Sequence, residues 1–121
     1  MDQLIGNKKI KTAVFISGAG SNLKNLINFS NNKKSPISIN LIISDNKNAI
    51  GLKYGKIFNI KKKVVNYKSK DIAEKKIFLE LKKNNINFIC LAGYMRILSK
   101  NFLKSFKGKI INIHPALLPK Y

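Results

Sequence analysis

A histidine and an asparagine near the end of the chain are the strongest candidates for catalysis. His114 is the sole histidine, so acid or base chemistry near neutral pH would fall to it. Asn112 stands two residues earlier, and residues i and i+2 of a strand point to the same side. The amide could donate to a developing oxyanion while the imidazole moves a proton. No serine or cysteine nucleophile stands beside them, which favours direct attack by a substrate's own nucleophile; a bystander histidine is the alternative.

A glycine-rich run, GAGSN at residues 18–22, is typical of a turn that binds a phosphate. Two glycines allow the backbone to approach an anion, and helix N–H groups with Ser21 and Asn22 would donate to it. The alternatives are an ordinary glycine-rich turn and a dinucleotide site. The run lacks the third glycine of a dinucleotide fingerprint and the lysine of a P-loop. Asp45, at the end of a predicted strand, is the one feature that supports a dinucleotide ribose contact.

A third run, GYMRIL at residues 93–98, puts apolar side chains on a loop where polar ones are expected. Either the loop tucks into the core, or it lines a pocket for a flat heterocycle whose edge the loop backbone reads. Arg96 is the only arginine, so we expect a planar contact or a salt bridge that lysine cannot make. Cys90, the only cysteine, lies in a predicted apolar strand, so we expect a packed, inert thiol and no cysteine-cluster zinc site.

Alternating strand-like and helix-like patterns must position these residues. Strands are predicted at residues 12–17, 37–44, 63–65, 88–92 and 110–113. Helices are predicted behind Ser21 or Asn22, over residues 49–58, from Asp71 with Glu74 in a capping box, and from Ser99 to a stop at Gly108. This alternation predicts an α/β fold, a Rossmann-like parallel sheet with helices on both faces. Ligands bind beyond the carboxyl ends of such strands, where all three runs stand.

Length and composition suit one domain. The 121 residues are 45% hydrophobic and 24% charged, and we find no internal repeat or linker. We therefore expect a single domain over residues 1–121, with residues 1–10 as a flexible or peripheral N-terminus. No apolar run approaches the roughly 18 residues of a membrane span, and no secretory signal is visible. These features predict a cytoplasmic protein without a membrane partner.

The formal charge of +19 comes almost entirely from lysine. Lysine, isoleucine and asparagine are in joint excess, which favours a bias toward A/T-rich codons. The lysines are scattered through every segment, with residues 61–63 the densest spot, whereas nucleic-acid surfaces usually hold several arginines. We predict no specific nucleic-acid partner. A basic RNA-binding module stays open as an alternative, since this charge attracts polyanions at low salt.

Three runs together resemble the phosphoribosylglycinamide formyltransferase family, the folate-dependent enzymes of purine synthesis. They are ISGAGSNL (16–23), LAGYMRIL (91–98) and INIHPALLPKY (111–121), in the family's order and spacing, and the similarity extends from Lys11 to the end. The last run is shared with other formyltransferases, including the enzyme that acts on initiator methionyl-tRNA. A methionyl-tRNA formyltransferase-like domain is therefore one alternative. A dinucleotide-binding Rossmann domain, which the glycine-rich run and Asp45 leave open, is the other.

The resemblance implies a formyltransferase fold that transfers a formyl group from 10-formyltetrahydrofolate, its co-substrate, to the amine of glycinamide ribonucleotide, without a metal. Three residues would bind the ribonucleotide phosphate: Gly20, Ser21 and Asn22. Six residues would contact the folate: Met95, Arg96, Ile97, Leu98, Asn112 and, more weakly, Lys70, which stands where the family has an arginine. Asn112 and His114 would be catalytic.

The resemblance also implies a longer chain. Family members continue past the LLPKY segment with further strands and a catalytic aspartate that pairs with the histidine. We therefore expect the 121 residues to be a fragment, a shortened form or the product of a decayed gene, with the sheet truncated after its fifth strand. Alone, they are expected to have little or no activity, and to form a homo-oligomer or a poorly soluble product, since an uncovered sheet edge invites pairing.

Overall fold

The computed structural model describes residues 8–113, so His114 and the catalytic role predicted for it lie outside the described residues. Five parallel strands form one sheet in the order β3-β2-β1-β4-β5. The strands are β1 (Ile10–Ile16), β2 (Ile37–Ser44), β3 (Lys61–Val64), β4 (Phe88–Leu91) and β5 (Lys109–Asn112). The helices are α1 (Ser21–Ser30), α2 (Lys53–Ile57), α3 (Lys70–Lys83) and α4 (Lys100–Ser105), with a 3-10 turn (Ile50–Leu52) before α2. The predicted Rossmann-like fold class is confirmed.

The three inner strands are apolar because helices cover both faces of the sheet. Successive residues of a strand point to opposite faces, so Phe15 packs into one core cluster and Ile16 into the other. The first cluster includes residues of α3 and α4, and the second includes residues of α1. Ile89 and Cys90 are 0% and 1% exposed in opposite clusters, which confirms that β4 is buried on both faces.

The two outer strands differ in composition. β3 pairs only with β2, and its Lys61, Lys62 and Lys63 are all exposed. Among the described strands β5 pairs only with β4, and it carries Ile110 and Ile111. Lysines on an edge strand hinder pairing with a further strand, so the densest lysine run of the sequence has a structural explanation in the fold.

Two predicted helix starts are wrong. α1 begins at Ser21 because Gly20, with a φ of 77°, turns the chain directly into the helix, and no side chain caps it. α3 begins at Lys70 because the Ser69 hydroxyl accepts a hydrogen bond from the Ile72 N–H, at 3.3 Å. The predicted capping box is therefore absent. Local spacing cannot distinguish these caps, since each candidate segment holds more than one polar residue near the helix start.

Glu74 instead connects α3 to the start of α4. Its carboxylate accepts hydrogen bonds from the Ser99 N–H (2.8 Å) and the Ser99 hydroxyl (2.5 Å). Ser99 caps α4 as predicted, accepting from the Phe102 N–H at 3.1 Å. The helix ends at Ser105, so Gly108 is not its stop. A Cβ at Gly108 would lie 1.9 Å from the Asn87 carbonyl oxygen, and glycine is needed for that close approach.

Several boundaries move by a few residues. β1 starts at Ile10, two residues before its predicted start, and β3 starts at Lys61. The Lys9 ammonium donates to the carbonyl oxygens of Ser30 (2.6 Å) and Asn32 (2.8 Å). The chain is therefore attached to the fold from Lys9, inside the N-terminus that was predicted to be flexible or peripheral.

Candidate functional site

The candidate site lies where the strand order reverses. The chain runs from β1 outward to β2 and β3, and then crosses to β4 on the other side of β1. Ligands of parallel α/β sheets bind in the crevice that such a reversal leaves between the carboxyl ends of two strands. The glycine-rich run follows β1 and the 93–98 run follows β4, while Asn112, exposed, ends the neighbouring β5. The glycine-rich run, the 93–98 run and Asn112 thus lie at one edge of the sheet.

The glycine-rich turn is held by backbone packing. A Cβ at Gly20 would lie 2.7 Å from the Cα of Gly51, in the 3-10 turn, and the Gly51 N–H donates to the Gly18 carbonyl at 3.0 Å. The close approach that glycine permits here is therefore an approach to protein backbone. Ser21 is exposed and Asn22 is half-buried in the first turn of α1. Since no side chain of residues 8–113 caps α1 and its first turn holds no acidic residue, the helix N-terminus keeps its partial positive charge.

The loop after β4 is partly core and partly surface. The Tyr94 ring packs edge-on against Phe15 with centroids 5.1 Å apart, and Leu98 is only 8% exposed. Between them, Met95 and Ile97 are 77% and 82% exposed. Neither alternative predicted from the sequence describes the whole loop, because its ends pack into the core and its middle faces solvent. Leu98 belongs to the core cluster rather than to an exposed lining.

Arg96 makes both contacts that were expected of a lone arginine. Its Nε donates to Oδ2 of Asp45 at 2.9 Å, and its guanidinium lies over the Tyr67 ring, 4.6 Å from the centroid. This is the only salt bridge within the part of the chain that the structure describes. Oδ1 of Asp45 accepts from the Ser17 hydroxyl at 2.6 Å. Both carboxylate oxygens are occupied, which disfavours the ribose contact of a dinucleotide site.

Ser17 and Tyr67 are site residues that the sequence reasoning missed. The Met95 N–H donates to Oγ of Ser17 at 2.8 Å, and the hydroxyls of Tyr67 and Tyr94 lie 2.7 Å apart. Burial raises the pKa of both tyrosines, and the hydrogen bond between the two hydroxyls raises the pKa of Tyr94 further. One sequence signal could have pointed to Ser17. It ends the predicted strand 12–17, as Asp45 follows the predicted strand 37–44, and the pairing of Ile16 with Ser44 brings these two strand ends side by side.

Beside this network lies a cavity of about 650 Å³, at the ends of β2 and β3. Its lining includes Asp45, Lys47, Tyr67, Lys68 and Arg96. The cavity is therefore lined by both residues of the Arg96–Asp45 pair, but not by the glycine-rich turn. Lys70, exposed at the start of α3, does not line it.

Cys90 is a packing residue. It is 1% exposed, and burial raises the pKa of its thiol to about 11. The thiol therefore stays protonated at neutral pH, which confirms the prediction of an inert cysteine. Over residues 8–113, no group of three His, Cys, Asp or Glu side chains is placed to hold a metal ion. No helix in that range has both the length and the apolar character that a membrane span needs.

Residues 10–121 match the formyl transferase family. The human trifunctional purine biosynthetic protein adenosine-3 is 40% identical over 117 residues, which cover 94% of this chain and 12% of that protein. The solved phosphoribosylglycinamide formyltransferase of Brucella melitensis has a TM-score of 0.85 at 38% identity, over 93% of this chain and 60% of that one. The enzyme of Anaplasma phagocytophilum has a TM-score of 0.81 at 39% identity, over 93% and 53%.

The chain thus spans a small part of the curated relatives and less than two thirds of the solved enzymes. Within that part, the similarity includes the sheet, its point of reversal and the loops around it, since it covers more than nine tenths of this chain. Sequence and fold agree over the same residues, and the chain belongs to the formyl transferase family.

Proposed function

We propose that this chain forms the substrate-binding edge of a phosphoribosylglycinamide formyltransferase of de novo purine biosynthesis. The reaction transfers a formyl group from 10-formyltetrahydrofolate to the amine of glycinamide ribonucleotide. One observation carries the proposal: the uncapped turn of α1 and the exposed middle of the 93–98 loop flank the same point of strand reversal. The similarity to solved phosphoribosylglycinamide formyltransferases supports the same reaction.

The ribonucleotide phosphate would bind at Gly20, Ser21 and Asn22. A helix N-terminus without a side-chain cap offers unpaired N–H groups and a partial positive charge, which suit a phosphate. The exposed Ser21 hydroxyl adds a further donor. The left-handed backbone at Gly20 turns the chain directly into the helix, so the first helical N–H groups follow the turn at once.

The folate would lie against the exposed part of the loop after β4. Met95 and Ile97 offer an apolar surface to a flat ring, while Arg96 is held back by Asp45 and Tyr67. Leu98 would support the loop from the core rather than touch the ligand. Lys70 keeps the positive charge of the arginine that it replaces, without the planar fork, and would contribute weakly.

The chemistry requires an oxyanion donor and a proton carrier. The amine nitrogen of the ribonucleotide attacks the formyl carbon, and negative charge develops on the formyl oxygen. The side-chain amide of Asn112 would donate to that oxygen. As the bond from the formyl carbon to the folate nitrogen breaks, a proton moves from the attacking amine to that nitrogen. His114 would carry the proton, as the sole histidine of the chain, two residues after Asn112. The reaction would take place in the cytoplasm, between small molecules.

The test is an NMR titration of the full chain with glycinamide ribonucleotide and, separately, with 10-formyltetrahydrofolate. We expect the amide signals of Ser21 and Asn22 to shift with the first and those of Met95 and Ile97 with the second. NAD and a short RNA are the controls. Shifts confined to Lys61, Lys62 and Lys63, or a specific response to NAD at Asp45, would contradict the proposal.

Catalysis is tested in the natural protein by Asn112→Ala. We expect kcat to fall on the order of 100-fold with KM nearly unchanged, because the oxyanion exists only near the transition state. Formyl transfer is measured as a function of both substrates, with the exposed Asn101→Ala variant of α4 as the matched control. Turnover of Asn112→Ala equal to that of the control would remove the amide from the mechanism.

A further inference from the structure

We propose that Asp45 is a positioning residue, which holds the loop after β4 at the Met95 backbone, through Ser17, and at the Arg96 side chain. The inference rests on the proposed function, because that function assigns this loop to the folate. Asp45 follows β2, whereas the loop follows β4, so the carboxylate acts across the intervening strand β1. Its side chain is 7% exposed, which leaves it little contact with solvent.

The first arm of the network runs through Ser17. A serine hydroxyl has one proton, so once it donates that proton to one partner it can only accept a hydrogen bond from any other partner. The Ser17 hydroxyl donates to Oδ1 of Asp45 at 2.6 Å, and its oxygen then accepts the Met95 N–H at 2.8 Å. Asp45 thereby sets the polarity of the hydrogen bond that holds the Met95 backbone.

The second arm runs through Arg96. Oδ2 of Asp45 accepts from its Nε at 2.9 Å, and the guanidinium stacks over Tyr67. The hydroxyl of Tyr67 in turn bonds to that of Tyr94, at 2.7 Å. Three consecutive loop residues, from Tyr94 to Arg96, are therefore each held by a different partner, and two of those contacts lead directly to Asp45.

This arrangement explains why the apolar side chains in the middle of the loop remain exposed to solvent. Met95 and Ile97 are more than three quarters exposed, although burial of such side chains is favourable. A loop fixed at its backbone cannot fold these side chains onto the sheet. It is then ordered before the ligand arrives, and binding costs less conformational entropy. Loss of Asp45 should weaken folate binding more than it weakens the fold.

The test compares Asp45→Ala and Asp45→Asn in the full chain, with Asp71→Asn as a matched control that removes an exposed carboxylate from the first turn of α3. In Asp45→Ala both arms are lost, so we expect hydrogen exchange of the Met95 amide to accelerate tenfold or more. In Asp45→Asn the side-chain oxygen can still accept from Ser17, but its NH₂ group cannot accept from Arg96. Met95 should then stay protected while the Nε signal of Arg96 shifts.

Affinity for 10-formyltetrahydrofolate should fall roughly tenfold in Asp45→Ala and stay unchanged in Asp71→Asn. An unchanged Met95 exchange rate in a folded Asp45→Ala protein would overturn the proposal. If that variant fails to fold, Ser17→Ala decides, since it removes only the hydroxyl: Met95 must lose protection while Arg96 stays paired, and any other result overturns the inference.

The two proposals fail in distinguishable ways. If the unchanged protein does not bind 10-formyltetrahydrofolate, the proposed function fails. The exchange rate of Met95 and the Nε signal of Arg96 still report whether Asp45 holds the loop. If the folate binds but Asp45→Ala leaves its affinity and the Met95 exchange rate unchanged, the proposed function stands and the positioning role is wrong.

Discussion

The turn after β1 and the loop after β4 lie at the same edge of the sheet but are stabilised in opposite ways. The turn is held by backbone packing of Gly20 on Gly51, and no side chain caps the helix that follows. The loop is held by side chains, through Ser17, Asp45 and Tyr67. The first arrangement leaves backbone N–H groups available, and the second leaves apolar side chains available. One crevice can thus offer charge complementarity to a phosphate and an apolar surface to a ring.

A glycine with positive φ occurs in both segments, which makes the comparison testable. Gly20 and Gly93 have φ values of 77° and 75°. A Cβ at Gly20 would meet the Gly51 backbone at 2.7 Å, whereas a Cβ at Gly93 would meet nothing within 4 Å. Conformational strain is therefore common to both positions, and steric conflict is specific to the turn after β1.

The largest expected effect is that of Gly20→Ala. We expect it to lower the free energy of unfolding by roughly 3 kcal/mol, because the left-handed backbone costs about 1–2 kcal/mol and the clash adds a similar amount. Gly93→Ala should cost about 1–2 kcal/mol. Gly18→Ala, with open space and no positive φ, should cost little. Urea unfolding curves measure all three, and equal losses at Gly20 and Gly93 would remove the distinction between the two segments.

Tyr94→Phe tests the side-chain support of the loop after β4. Removal of the Tyr94 hydroxyl leaves the Tyr67 hydroxyl without its partner, which should cost about 1 kcal/mol at pH 7. The two tyrosines also link stability to alkaline pH. Burial raises the pKa of each above its ordinary value of 10.0, so their contribution is full below that pH. Above it, the tyrosines ionise in the unfolded state first, and stability is lost.

The pH dependence of stability isolates the contribution of the Tyr67–Tyr94 pair. Urea midpoints measured at pH 8, 10 and 11 should fall more steeply for the unchanged protein than for Tyr94→Phe, since the variant has one buried phenol fewer. Tyr54→Phe, in α2, is the control, because it removes a hydroxyl outside that pair. Parallel curves for Tyr94→Phe and the unchanged protein would contradict the expected linkage.

The smallest expected difference concerns two serines at helix starts. Ser69→Ala removes the cap of α3 and should cost about 1 kcal/mol of stability. Ser21→Ala lies at the start of α1, where no side-chain cap exists, and should leave stability almost unchanged while weakening ribonucleotide binding. Thermal unfolding and ribonucleotide titration measure the two effects. A loss of stability in Ser21→Ala as large as that in Ser69→Ala would mean that α1 is capped after all.

The sheet was predictable because its signals are local and repeated. Each inner strand is a short apolar run, and the covered faces of a parallel sheet require that pattern on both sides. The pairing of Arg96 was also foreseeable, since a lone arginine among lysines calls for a planar partner. The inference about Arg96 did not require knowing which residue would be its partner.

The remaining features depend on contacts between distant residues. Gly20 and Gly51 are 31 positions apart, Ser17 and Met95 are 78 apart, and Glu74 bonds to Ser99 across 25 residues. A pattern read along the chain gives no distance between such residues. The placement of Leu98 depends on the same kind of contact, because only the packing of the sheet and helices decides which apolar loop residue turns inward.

The three exposed lysines of β3 disfavour the pairing of a further strand on that side of the sheet. A strand approaching beside β3 would meet three exposed ammonium groups, and a second copy of β3 would double that repulsion. A strand approaching beside β5 would meet a single exposed lysine, Lys109, followed by Ile110 and Ile111. Within residues 8–113, charge therefore opposes a further strand more strongly beside β3 than beside β5, the strand that Asn112 ends.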